Sequence, residues 1–204
     1  MDFSLYQLIN DFAARNDWLE DPLRFFALSA QWFFIAVLVA LFFARGKWKS
    51  VNGRRGVAGA GLSAIFALGV AHLIASLWDR ARPYEAHASA HLFISRSPDP
   101  SFPSDHATAA FALAVAVFLW HRRAGWLMLA MAAVVSLARV GVGTHYPGDV
   151  LGGAAIGAAI ALLIHRLPAA RRLTNTLGDF AGHIYDRIST WALRRAWPST
   201  GSPT

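Results

Sequence analysis

The chain has no cysteine and little charge. Only 15% of its 204 residues are Asp, Glu, Lys or Arg, against 55% hydrophobic. The missing cysteines exclude a disulfide framework, a thiolate metal site and a cysteine nucleophile. The scarcity of charge is unlike an ordinary soluble domain, in which about 25% of residues are charged. It is also uneven: segments 25–44 and 56–77 contain no Asp, Glu, Lys or Arg at all. Each is close to the ~20 residues that cross a hydrocarbon core of roughly 30 Å. No internal repeat and no nucleic-acid-binding motif accompanies the net charge of +7. The first residues, MDFSLYQLINDFAARNDWLED, are acidic and lack an early apolar stretch, so a cleaved signal peptide is not expected.

What the sequence does have is a series of apolar runs separated by short polar loops. Spans are predicted at about 25–44, 56–77, 103–120, 124–142 and 147–164. Phe3, Leu5, Leu8, Ile9 and Phe12 recur at helical spacing and predict an amphipathic helix over 3–14. A second amphipathic segment is predicted over 177–197, followed by a disordered tail. The fold class is therefore all-α, a polytopic transmembrane helix bundle of about five spans with amphipathic surface helices at both ends. The expected organisation is an amino-terminal amphipathic segment over 1–22, a membrane core over 23–168 and a carboxy-terminal amphipathic and disordered tail over 169–204. Ala and Gly are abundant in the second, third and fifth spans, which suits close helix packing in lipid. Trp48, Trp78, Trp120 and Trp126 fall near span ends, where indole rings favour the interface.

The loops alternate in charge. Arg45, Lys47, Lys49, Arg54 and Arg55 mark one loop, His121, Arg122 and Arg123 another, and Arg166, Arg171 and Arg172 follow the last span. Basic loops stay cytoplasmic. Residues 1–24, with five acidic against two basic residues, are then expected outside with the 78–102 and 142–147 loops. The carboxy-terminus is expected inside.

Three polar clusters interrupt the apolar chain: Asp79-Arg80-Ala81-Arg82-Pro83, Phe102-Pro103-Ser104-Asp105-His106, and Arg139-x5-His145-x3-Asp149. The expected topology puts all three at the same membrane surface. Their residue types suit phosphate chemistry. Arg82 and Arg139 can fork onto phosphate oxygens and offset charge in a phosphoryl transition state. Pro103 and Pro147 both mark helix starts, whose free N–H groups favour anions. One histidine could attack phosphorus while another protonates the leaving oxygen. Asp149, four residues after His145, could reach back to orient that imidazole. No carboxylate cluster large enough for Mg²⁺ is present in the sequence, so chemistry without a metal or cofactor is expected.

These clusters resemble the three signatures of the type-2 phosphatidic acid phosphatase family, which shares its core with vanadium haloperoxidases. The resemblance covers about residues 20–170, and Gly143-Thr144-His145-Tyr146-Pro147-Gly148-Asp149 is its most specific part. It implies a membrane lipid phosphatase in which His145 becomes phosphohistidine, Asp149 orients it and His106 serves as acid and base. It also implies that Arg82, Ser104 and Arg139 hold phosphate. The chain departs from the family at Ala75, where the first signature has lysine, at Ala138 in place of serine and at Asp105 in place of glycine. Arg80 is the expected substitute for the missing lysine. The Ser-Asp-His variant and Arg82-Pro83-Tyr84 look most like the bacitracin-resistance branch, which hydrolyses undecaprenyl diphosphate. The implied partners are a polyprenyl or other lipid phosphate and the bilayer of a bacterial cell membrane, with the site extracytoplasmic. Phosphatidylglycerophosphate, phosphatidate and phosphorylated polyprenyl sugars are the alternative substrates, and a lipid-phosphate binder or transporter without turnover is the alternative class.

Other polar residues have plainer expectations. His72 is expected to pack or bond between helices. His87 and His91 are expected to be solvated, and Glu85 to pair with a loop arginine. Arg96 is either a surface residue or a diphosphate contact. Asp105 either caps the third span or orients His106.

Overall fold

A computed structural model describes residues 1–43 and 51–196. The expected basic residues Arg45, Lys47 and Lys49, with Trp48, Trp197 and the tail, lie outside the described residues. The described chain is helical: α1 Asp2–Ala14, α2 Asp17–Phe43, α3 Val51–Leu77, α4 Pro83–Ala86, α5 Asp105–Trp120, α6 Arg122–Gly141, α7 Pro147–Arg166 and α8 Pro168–Ala196.

Four of these are long and apolar enough to cross a membrane: Asp17–Phe43, Gly53–Leu77, Arg122–Gly141 and Pro147–Arg166. The fifth expected span, α5, has 16 residues, about 24 Å of helix at 1.5 Å per residue. It is the central helix, packed by α3, α6 and α7. α2 begins at Asp17, earlier than its apolar run, because the polar DWLEDPLR segment continues the helix, with an Arg24–Glu20 pair at 3.2 Å. α8 likewise starts at Pro168, before its predicted amphipathic stretch.

The packing is small inside and large outside. Ala107, Ala110, Ala112, Ala114 and Ala116 of α5 are buried, while Phe25, Leu28, Trp32, Ile35 and Val39 of α2 are exposed. A soluble bundle inverts this order. In lipid, association relies on close van der Waals approach, and bulky apolar groups are free to face the tails. The α5–α7 contact shows the steric reason. A Cβ on Gly153 would meet the Ser104 carbonyl oxygen at 2.6 Å, and one on Gly157 would run into that of Thr108. Glycine there lets the two helices close until Ser104 N donates to the Asp149 carbonyl at 3.1 Å. The starts of α5 and α7 are thereby held side by side.

The two flanking helices are amphipathic in sequence and differ in attachment. α1 exposes Leu5, Leu8 and Phe12 and buries Tyr6, Asn10 and Ala13. Asn10 Nδ2 donates to the His91 and Gly141 carbonyls, both at 2.9 Å, and its Oδ1 accepts from His91 N at 2.9 Å. α1 is thus built into the bundle on this face. α8 exposes Leu177, Phe180, Ile184, Ile188 and Trp191 and sets Gly178 and Gly182 against Arg55 and Arg54 of α3.

Candidate active site

The three polar clusters meet at one end of the bundle. They surround a cavity of about 300 Å³ lined by Arg82, Asp105, His106, Arg139 and His145, with Ala75, His72 and Ser76 of α3 on its wall.

His145 sits in the turn between α6 and α7. The turn needs Gly143, whose φ is +88° and where a Cβ would run into the His91 carbonyl oxygen. Thr144 Oγ1 then donates to the Arg139 carbonyl at 2.9 Å, closing the turn onto α6. His145 is buried, and its Nδ1 lies 2.8 Å from the Ser101 carbonyl oxygen. A carbonyl can only accept, so Nδ1 carries the proton and Nε2 keeps a lone pair. Nε2 lies on the cavity side, 3.4 Å from Arg82 Nη1. Burial holds the imidazole well below its ordinary value, at about 4; the nearby Asp149 carboxylate opposes that shift, and the Arg139 and Arg82 guanidiniums add to it. At neutral pH the ring is neutral, with its Nε2 lone pair available.

Asp149 does not orient His145 as directly as expected. Its Oδ2 is 3.7 Å from Nδ1, beyond hydrogen-bond length. The carboxylate instead accepts from Ser101 Oγ at 2.5 Å and Tyr146 N at 2.8 Å. It therefore fixes the residue whose carbonyl holds Nδ1 and the residue that follows His145. Ser101 had no distinguishing signal in the sequence beyond its place beside the second cluster.

The two arginines bring buried positive charge to the cavity wall. Arg82 is buried and held by carbonyls: Nε to Asp99 at 2.8 Å, Nη1 to Thr144 at 3.1 Å and Nη2 to Pro100 at 3.4 Å. Arg139 is buried with one contact, Nη1 to the Ala27 carbonyl at 3.5 Å, and its Nε has no partner. Among the described residues neither forms an ion pair with a carboxylate. Two buried guanidiniums without counter-charge are costly unless an anion joins them. His106, in the first turn of α5, is exposed to the same cavity.

Ser104, at the start of α5, is buried with Oγ unpartnered, but Pro103 and Asp105 rather than Ser104 form the cavity wall. Arg80 requires a correction. It does not line the cavity, because two carboxylates hold its guanidinium behind it: Nη1 to Asp149 at 2.6 Å and Nη2 to Asp2 at 2.7 Å, over the Tyr146 ring at 4.2 Å. Ala75, the position of the missing lysine, does line it.

His72 of α3 faces Asp105 of α5. Its Nδ1 contacts Leu68 O of its own helix at 2.9 Å, and its Nε2 lies 3.9 Å from Asp105. His87 is stacked on Phe3 at 3.6 Å rather than solvated. His91 has an exposed ring 3.9 Å from Asp11. Glu85 accepts from Arg82 N at 2.9 Å in place of an ion pair, and Arg96 lies over the Tyr84 ring at 5.5 Å.

An all-helical membrane bundle with a polar, doubly cationic pocket has the architecture of a membrane lipid phosphatase. The chain belongs to the PAP2 superfamily, whose family model matches residues 56–173. It is 29% identical to undecaprenyl-diphosphatase BcrC of Bacillus subtilis over 92% of this chain and 93% of that one. It is 32% identical to decaprenylphosphoryl-5-phosphoribose phosphatase of Mycobacterium tuberculosis, over 69% of this chain and 73% of that protein. The crystal structure of Aquifex aeolicus LpxE shares the fold, with a TM-score of 0.65 at 23% identity over 79% of this chain and 93% of that one.

Proposed function

We propose that the protein hydrolyses undecaprenyl diphosphate to the monophosphate and phosphate through a phosphohistidine at His145. The observation that carries this reading is the lone pair of His145 Nε2, held in a cavity beside the unpaired cation of Arg82, with Arg139 on the same wall. Nε2 attacks the terminal phosphorus, and the bond to the bridging oxygen breaks. His106 gives that oxygen its proton and then takes one from water. The resulting hydroxide attacks the phosphohistidine, releasing phosphate and restoring the neutral ring. Arg82 and Arg139 neutralise the phosphoryl oxygens throughout. Asp149 stabilises the cationic stage through Ser101 and the His145–Tyr146 backbone. The likeness to BcrC over nearly the whole length supports the polyprenyl diphosphate.

The loop charges support an extracytoplasmic site. Arg54, Arg122, Arg166 and Arg171 sit at the opposite end from Asp2, Asp79 and Asp99, in keeping with the bias of basic loops to the cytoplasm. The amino-terminus is then outside and the carboxy-terminus inside.

Phosphate release in detergent from a panel of undecaprenyl diphosphate, phosphatidate, phosphatidylglycerophosphate and a phosphorylated polyprenyl sugar tests the substrate. Undecaprenyl diphosphate should give the highest kcat/KM. Equal or faster hydrolysis of phosphatidate contradicts the assignment. The decaprenylphosphoryl relative makes a phosphorylated polyprenyl sugar the second reading.

A further inference from the structure

Asp149 carries a buried carboxylate, and among the described residues the arginine or lysine that touches it is Arg80, at 2.6 Å. Arg80 in turn meets Asp2, the first residue of α1, at 2.7 Å. Asp2 uses both its oxygens. Oδ2 takes Arg80 Nη2, and Oδ1 takes Gly148 N at 2.8 Å, at the start of α7. The Arg80 guanidinium also lies over the Tyr146 ring at 4.2 Å, and Tyr146 meets Tyr6 of α1 at 5.7 Å. Four groups therefore form one chain of contacts, Asp2–Arg80–Asp149–Ser101, whose last carbonyl holds the Nδ1 proton of His145. Its two ends lie in α1 and in the loop before α5, and it passes through residues far apart in sequence.

We infer that Asp2 and Arg80 are positioning residues for the nucleophile, and that α1 acts through them as part of the catalytic apparatus. The inference rests on the reading that His145 Nε2 attacks phosphorus. Arg80 holds Asp149 in orientation, since a buried carboxylate deprived of its cation partner is costly to keep in place. Asp2 fixes Arg80 and balances its charge, leaving Asp149 free to stabilise the imidazolium formed in the reaction. A neutral residue at position 2 hands the whole Arg80 charge to Asp149 and weakens that stabilisation. Neither Asp2 nor Arg80 lines the cavity, so substrate binding should be little affected.

The test uses the full chain in detergent, with the panel lipid that the unmodified chain turns over fastest. Arg80→Gln should lower kcat roughly thirtyfold and Asp2→Asn roughly tenfold, the range seen when a group that orients a reactive ligand is lost, with KM within about twofold. The double variant should be no slower than Arg80→Gln alone, because both act along one path. Arg80→Lys should recover part of the loss. Retention of vanadate binding shows that a variant is folded; should Arg80→Gln lose it, Asp2→Asn and Arg80→Lys, singly and combined, decide. Full kcat in Asp2→Asn, a loss confined to KM, or losses that multiply in the double variant would overturn the inference. His145→Ala separates the two readings. If it keeps turnover, the nucleophile is wrong; if it is inactive while Asp2→Asn is fully active, the nucleophile stands and this inference fails.

Discussion

The two amphipathic helices, α1 and α8, present similar apolar stripes outward and differ in what lies beneath. Under α1 are Tyr6, Asn10 and Asp2, and their partners are the carbonyls of His91 and Gly141, the amide of Gly148 and the guanidinium of Arg80. Under α8 are Gly178 and Gly182, with Arg55–Asp179 at 2.7 Å and Arg54–Asp186 at 3.1 Å. The first set is largely buried and ends on Asp149. The second is partly exposed. Buried polar contacts are costly to break, whereas exposed ion pairs contribute little. The same sequence pattern thus makes a structural part of the site at one end and a tether at the other.

The contrast predicts a graded set of losses. His145→Ala, at the centre of the α1 end, should lower turnover at least about a thousandfold, as when a nucleophile is removed from a catalytic set. Phosphate-release kinetics measure this, and residual activity above a few per cent contradicts the assignment. Arg139→Ala should come next, at roughly a hundredfold in kcat/KM for loss of one charge-stabilising group. Its vanadate inhibition should weaken in parallel; unchanged inhibition would remove Arg139 from the anion site. Asn10→Ala leaves the His91 and Gly141 backbone groups unpaired and should destabilise the fold by about 1–3 kcal/mol. The effect is read as a lower Tm, and turnover at low temperature should fall less than in Asp2→Asn. Asp179→Asn at the α8 end should leave turnover within about twofold. A large catalytic loss there would erase the distinction between the helices.

Acid sharpens the same comparison. His145 has its folded-state value pushed down to about 4 from 6.5, chiefly by burial. The unfolded chain therefore takes up the proton first, and the contribution of this group to stability is complete above 6.5 and lost as pH falls through 4. NMR of ring-labelled histidine should show His145 still neutral at pH 5.5. A midpoint near 6.5 would mean that the ring is solvated.

The membrane bundle was legible in the sequence because charge-free runs and basic loops are local signals. The cavity residues Arg82, His106, Arg139 and His145 were legible for a related reason: ionisable groups stand out in an apolar chain. Their partners were not. Ser101 meets His145 across 44 residues, and Asp2 meets Gly148 across 146. Periodicity carries no information at that range, so Arg80 looked like a spare phosphate ligand when its guanidinium belongs to Asp2 and Asp149. The Ala75 and Asp105 departures from the family pattern face one cavity, which only folding shows.

The central claim is covalent: during turnover the phosphoryl group sits on Nε2 of His145. Rapid quenching in base with a substrate radiolabelled at the terminal phosphate tests it most directly. The account predicts an acid-labile, base-stable label that maps to the peptide containing His145 and disappears in His145→Ala. Turnover at the normal rate with no trapped label, or a label on His106, would contradict it.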